Sequence, residues 1–450
     1  MVKNKKLSFV LDESPYYRMS KIDISNYVQE FWDVNETISE LSYLTHSYFR
    51  YYGKFPSKIG KLIIEDLEVR KCINVKRDFI LDNYAGSGTT LVEAKIRNFD
   101  SFGVDINPFA ILACKVKTRN YDILSLRNYW YNLYTKIIVY NQWLLPSEEQ
   151  LLIFTDTSEE MKNKILHEAK EFELTNKDAK KWFTEDTILG IAIIKCLLLE
   201  YDNNEEREFF ELAFFAILRR VSTAYDGEVR PHVNQKKRIR NVADAYAKKV
   251  NEMIGLMEQW NTQTKKSILS GAKLCSNACG EKVTSYIKDL KERTGKDLGL
   301  VVSHPPYLNC FDYIPVYKLE FMWITKFDHL FDGYNYMQIK DMEIKSYPAN
   351  SLENINRYFK QNEDVYKIIY KNLRRGGYCC IVIGDCTLQT NLFEVHKTFI
   401  SLLEKIGFIT DKISYRSTSY GIGQYAYRYR ADYNENADRK KDGVLFFKKP

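Results

Sequence analysis

Apolar runs of strand length alternate with helical stretches in two separate parts of the chain. In the first part Phe79–Asp82 reads as a strand, Leu91–Arg97 as a helix and Ser101–Asp105 as a second strand. Helices are also predicted over Ile59–Leu67 and, upstream, over the acidic Ser25–Ser42. In the second part Ser267–Gly271 and Leu298–Val302 read as strands around a helix at 281–293. Gly376 and Gly377 break a further helix before the strand Tyr378–Asp385, and Gly407–Tyr415 with Val444–Lys448 reads as a closing hairpin with a long tip. Between the parts, residues 120–262 lack Val/Ile strand runs and are rich in helix. There Thr184 marks a helix start, and Asn204 caps a helix over Glu205–Arg220 with Phe209, Phe210, Ala213, Phe214 and Ile217 on one apolar face.

Two turns carry chemistry. The first, Asn83–Thr90, joins a strand to a helix through Gly86 and Gly88, which let the backbone approach a ligand closely. Asp105, at the end of the next strand, stands where a ribose diol is hydrogen-bonded in a nucleotide-binding βαβ unit. Leu91 replaces the third glycine of a dinucleotide fingerprint, and no Gly-Lys-Ser/Thr follows, so neither that motif nor a phosphate loop is present. The second turn is Ser303-His304-Pro305-Pro306-Tyr307. Neither proline has an N–H to continue a ladder, so both carbonyls are expected to point out of the sheet as acceptors. Acceptors followed by a flat ring suit a planar base held by its exocyclic amine.

Composition narrows the class. The 450 residues imply two domains or one domain with a large insertion. A net charge of +7 is compatible with a polyanionic partner without demanding one. Nine cysteines without a repeated C-x-x-C argue against a disulfide framework and a structural zinc site, so no metal is expected; Cys275 and Cys279 have no second pair of ligands near them. No signal peptide or membrane-spanning run is visible, which points to the cytoplasm. Basic residues cluster at Arg219, Arg220, Arg230, Lys236, Lys237, Arg238 and Arg240, either contacting phosphates or forming a solvated loop. The hairpin tip interleaves Tyr420, Tyr425, Tyr427, Arg428, Tyr429 and Arg430, a composition suited to stacking on bases and contacting backbone.

Residues 303–313, with Leu308-Asn309 and Asp312-Tyr313 after the prolines, resemble motif IV of the S-adenosylmethionine-dependent DNA amino-methyltransferases, with His304 where that family has Asp, Asn or Ser. Residues 82–90 resemble its motif I, with Asn83 in place of Pro, and 103–108 its motif II. The resemblance implies a seven-stranded, mostly parallel, Rossmann-like α/β sheet with a helical insertion. Its parts would be an N-terminal extension (1–44), a cofactor-binding half (45–125), a helical insertion carrying target recognition (126–262) and a catalytic half (263–450). With the chain ending after the hairpin, no C-terminal recognition domain is expected. By position, Asp82, Tyr84, Gly86, Gly88 and Thr89 would line the methionine side of S-adenosylmethionine, Asp105 would bind the ribose, Ile106 the adenine, and Phe55 would pack from upstream.

The implied reaction is methyl transfer to an exocyclic amine of a base flipped out of double-stranded DNA, cytosine N4 favoured over adenine N6. Pro305 and neutral His304 would accept the amine hydrogens, beside Pro306, and Tyr307 would stack on the base. Activity is then expected to fall as pH drops through the histidine range. Cytosine C5 chemistry is disfavoured because no proline is followed by cysteine. An RNA amine methyltransferase and a non-catalytic DNA-binding subunit stay open, as do a restriction endonuclease partner and a role for His304 in altered base choice.

Overall fold

A computed structural model describes residues 9–32, 34, 36–141, 156–175, 178–226, 228–276, 280–416 and 442–450. The hairpin-tip residues Tyr420, Tyr425, Tyr427, Arg428, Tyr429 and Arg430, and Cys279, lie outside the described residues.

Ten strands are described: β1 (Val28–Trp32), β2 (Asp78–Asp82), β3 (Ser101–Asp105), β4 (Ser270–Leu274), β5 (Asp297–Ser303), β6 (Tyr378–Gly384), β7 (Cys386–Leu388), β8 (Asn391–Phe393), β9 (Ile409–Arg416) and β10 (Asp442–Lys448). Eight of them form one sheet in the order β1-β9-β10-β6-β5-β2-β3-β4. Only β10 runs antiparallel in it, against both β6 and β9. The expected seven strands are therefore eight among the described residues, and a small β7-β8 hairpin went unforeseen.

The extra strand corrects the helix expected over Ser25–Ser42. Val28 and Phe31 are largely exposed, whereas Trp32, Val34 and Leu41 pack toward the core, so the buried positions do not follow a helical face. The segment is extended because it pairs in parallel with the outer edge of β9, and Trp32 packs edge-on against Phe446. Strand β4 also lies three residues beyond its expected start, which brings Ala272 and Leu274 into the core against β3.

Alternation sets the two faces of the sheet. Phe79, Leu81, Val301 and Ile381 pack on one face. That face is covered by helices α1 (Gly280–Thr294), α2 (Leu352–Asn372) and α3 (Val395–Ile406). Ile80, Leu300, Val302 and Val382 pack on the other, beneath α4 (Ser57–Val69). At the start of β2, the fully buried Asp78 pairs with Arg374, fixing the turn after α2 to the strand.

The stretch between β3 and β4 is helical. Its longer helices are α5 (Pro108–Thr118), α6 (Ile123–Asn141), α7 (Asp156–Thr175), α8 (Glu185–Leu199), α9 (Glu205–Ile217) and α10 (Val242–Gln263). Thr184 and Asn204 cap α8 and α9 as expected, although α9 ends at Ile217, before Leu218–Arg220. These helices share one apolar core with the 44–52 loop and with residues 316–330. No helix among the described residues is long and apolar enough to cross a membrane.

Candidate functional site

From β2 the chain proceeds outward to β3 and β4, whereas β5 lies on the other side of β2 and leads to β6. Where strand order reverses in this way, the carboxyl ends of the strands leave a crevice. A cleft of about 770 Å³ opens there. Its walls come from the turns after β2, β3 and β5, the 51–55 loop and residues 342–344.

The turn after β2 is shaped by close packing. Gly86 has φ +49°, and a Cβ there would lie 3.0 Å from the Tyr51 ring. Gly103 lets β3 approach the turn, since a Cβ would stand 2.8 Å from that of Ala85. The helix α11 (Thr89–Ile96) then starts from Gly88.

Asp105 ends β3 and faces the cleft. Its oxygens accept backbone N–H groups from Gly86 at 2.8 Å and Asn107 at 2.9 Å, which aims the carboxylate. Desolvation nevertheless pushes its carboxyl up to about 6. Asp82, buried behind the turn, accepts the Tyr84 N–H at 3.1 Å. Burial, with the Asp105 charge adding to it, pushes Asp82 up to about 7.

Of the twelve catalytic and cofactor residues chosen from sequence, Phe55, Tyr84, Gly86, Thr89, Asp105, Ile106, His304 and Pro306 line this cleft. Asp82, Gly88, Pro305 and Tyr307 do not form its wall. The His304 ring stands edge-on to Phe55 at 5.2 Å and to Tyr307 at 5.1 Å. The Pro306 carbonyl is not open, as was expected: it accepts the Tyr358 hydroxyl at 2.7 Å, because α2 packs directly against this turn. Among the described residues no hydrogen bond reaches the Pro305 carbonyl.

Tyr307 is buried, and its hydroxyl donates to Asp442 at 3.0 Å. Asp442 also accepts from the buried Arg416 at 2.7 Å. The ends of β9 and β10 thus hold the ring that follows the prolines. Sequence reasoning missed this pair, since neither residue lies in a motif. From residues 45–58, a stretch that the family resemblance implies covers the methionine end of the cofactor, it named only Phe55 as a site residue and not Tyr51 or Lys54, and it missed Glu343, whose segment carries no pattern. Glu343 accepts the Tyr313 N–H at 2.5 Å and the Ile314 N–H at 3.3 Å, fixing the loop beyond Tyr307.

The basic run divides in two. Arg219 is buried, donates to the Val229 carbonyl at 3.0 Å and to that of Glu228, and lies over the Tyr52 ring. Lys237 donates to the Arg219 and Ala224 carbonyls and to Asp226. Both hold the loop together. Arg220, Arg230, Lys236, Arg238 and Arg240 are exposed. Arg230 lies 4.8 Å over the ring of Tyr347, next to Ser346, whose carbonyl accepts the Asn309 N–H. This sets Arg230 near the loop that follows the Pro-Pro turn. Tyr427, Arg428 and Arg430 lie outside the described residues.

Comparison with known proteins gives a family model, described as DNA methylase and of the N6/N4 type, over residues 1–115. Type II methyltransferase M.MvaI from Kocuria varians is 23% identical over 270 residues, covering 59% of this chain and 53% of the relative. Type II methyltransferase M.BsoBI from Geobacillus stearothermophilus is 23% identical over 377 residues, covering 78% of this chain and 65% of the relative. Type II methyltransferase M.MjaII from Methanocaldococcus jannaschii is 28% identical over 162 residues, 36% of this chain and 28% of the relative. The chain thus spans about half the length of the first of these relatives and under two thirds of each.

Proposed function

We propose, from the premise that this chain belongs to the family of DNA amino-methyltransferases, that it moves a methyl group from S-adenosylmethionine to an exocyclic amine of a flipped base in double-stranded DNA. Cytosine N4 is favoured over adenine N6. The observation that carries this reading is the meeting of Asp105 and Gly86 with His304 and Pro306 in one cleft.

The cleft fits the cofactor. Gly86 leaves room that a side chain would fill, Asp105 offers an aimed carboxylate for a ribose diol, and Ile106, Ile314, Met342 and Ile344 supply apolar walls for an adenine. When bound, S-adenosylmethionine supplies an electrophilic methyl group on sulfur. The protein's part is to prepare the amine, whose lone pair is otherwise delocalised into the base. Hydrogen bonds from the amine to the Pro305 carbonyl and a His304 ring nitrogen localise that pair. Fixing the amine in this orientation supplies much of the acceleration. The Tyr307 ring, held by Asp442, backs the base-binding side.

The exposed cations at Arg220, Arg230, Lys236, Arg238 and Arg240 suit the DNA backbone. A genomic substrate implies a cytoplasmic site of action. Tritiated methyl transfer to duplex DNA and to total RNA, with His304→Ser alongside, tests the reading. Label in DNA is expected, in N4-methylcytosine after digestion. Label confined to RNA, or to neither nucleic acid with both proteins, would overturn it.

A further inference from the structure

The basic loop is tied to two segments that border the cleft, through residues that no motif contains. Ala224 pairs with Val233, the Tyr225 N–H donates to the His232 carbonyl at 3.0 Å, and the Asn234 N–H donates to the Thr223 carbonyl at 2.8 Å. These bonds join 223–225 to 232–234 as two arms, and Asp226, Glu228, Val229 and Arg230 lie between them in the chain. Arg230 lies over Tyr347, three residues past Ile344 of the cleft wall. Asp226 is held from another segment, its carbonyl accepting the Arg50 guanidinium at 2.9 Å.

That second tie runs through three consecutive residues, Arg50, Tyr51 and Tyr52. Tyr51 lines the cleft and stacks on Tyr317 at 5.1 Å. The neighbouring Tyr52 serves the loop: Arg50 covers its ring at 4.9 Å and Arg219 at 4.5 Å. Its N–H donates to the Tyr317 hydroxyl at 3.0 Å, which fixes the ring. The ring is what Tyr52 contributes, since its hydroxyl has no hydrogen-bond partner among the described residues. Arg219 gathers the loop from within, donating to the Tyr225 carbonyl at 3.4 Å as well as to those of Glu228 and Val229. Both Arg219 and Tyr52 are buried, so neither offers its charge or its ring to solvent.

On the DNA reading above, we propose that Arg219, seated on the Tyr52 ring, is a positioning residue for duplex DNA: it holds the loop so that Arg230 and the exposed cations that follow it meet the DNA backbone together. A cation that contacts a phosphate releases the counterions of that one contact. A cation that shapes the loop acts on every contact the loop makes. Lys237 differs from Arg219 because it donates to the Arg219 and Ala224 carbonyls at the root of the arms, where the backbone pairs already hold.

Filter binding of a linear plasmid duplex across a salt series tests this, with thermal melts to report folding. Arg219→Met is expected to weaken DNA binding about 10- to 100-fold and to lower the slope of log affinity against log salt by about 2 or more, while still melting cooperatively. Tyr52→Leu should do the same through the lost ring, whereas Tyr52→Phe should keep the wild-type slope. A fall of about 1 in Arg219→Met would make Arg219 itself the phosphate contact, and an unchanged slope would leave it a packing residue; either result overturns the proposal. Should Arg219→Met fail to fold, the two Tyr52 variants decide, and equal slopes in both overturn it. Wild-type protein that does not bind the duplex removes the DNA reading itself.

Discussion

The cleft and the basic loop both gather charged side chains, and they treat them in opposite ways. At the cleft, Asp105 on the wall and Asp82 buried behind the glycine turn are desolvated with no cation in ion-pair contact among the described residues, so both carboxyls are pushed up, Asp82 to about 7 and Asp105 to about 6. In the loop, Arg219 and Lys237 are spent on carbonyls of their own loop, and their neighbours Lys236 and Arg238 face water. A site stores unpaired charge where a ligand will meet it. A loop in a charge run consumes some of its charges to hold its shape. Counting cations along the chain cannot separate these uses, because adjacent residues such as Lys236, Lys237 and Arg238 differ in which way the backbone turns them.

The largest expected effect lies where the cleft is braced. Asp442→Ala leaves the buried Arg416 unpaired and removes the acceptor of Tyr307, and should cost about 3–5 kcal/mol in urea unfolding. Lys236→Ala, in the exposed half of the loop, should change stability by less than about 0.5 kcal/mol. A loss as small for Asp442→Ala would erase the contrast between the two regions.

Next comes the carboxylate that the cleft holds ready. Asp105→Asn should weaken S-adenosylhomocysteine about 10- to 100-fold. In the wild type, affinity should fall as pH drops through about 6, where Asp105 gains its proton. The stability term has the opposite sense: the folded state binds this proton up to about 6 and the unfolded chain only to about 3.9. Asp105 thus lowers stability progressively as pH rises across that window. Titration of ligand affinity between pH 5 and pH 8 checks the first, and urea midpoints over pH 4 to 6 check the second. A flat affinity profile, carried unchanged into Asp105→Asn, would take the ribose contact away from this residue.

The smallest effect sharpens the division inside the loop. Arg238→Ala should reduce the slope of log affinity for DNA against log salt by about 1. Lys237→Ala should leave that slope in place and cost about 1–2 kcal/mol of stability through its lost carbonyl partners. Filter binding across a salt series, with thermal melts alongside, separates the two; matching slopes would mean that exposure does not decide which cations meet phosphate.

Much of the site was legible because local chemistry forces it. A glycine at Gly86 is needed where φ is positive beneath Tyr51, an acid ends β3, and two prolines end β5. Those requirements are written in consecutive residues, and so are the alternating apolar strands that set the two faces of the sheet. The sequence also marked the caps at Thr184 and Asn204. Other features had no local signal. The extended form of Val28–Trp32 depends on an edge offered by β9, far along the chain. The closing of the Pro306 carbonyl depends on Tyr358 of α2, and the grip on Tyr307 on Asp442 and Arg416. The sequence by itself determined which turns can hold a nucleotide and a base, since backbone conformation and side-chain chemistry there are properties of neighbouring residues. Only the tertiary structure decided which acids are desolvated, which cations are spent and which carbonyl stays open, because burial and partnership arise from residues brought together across hundreds of positions.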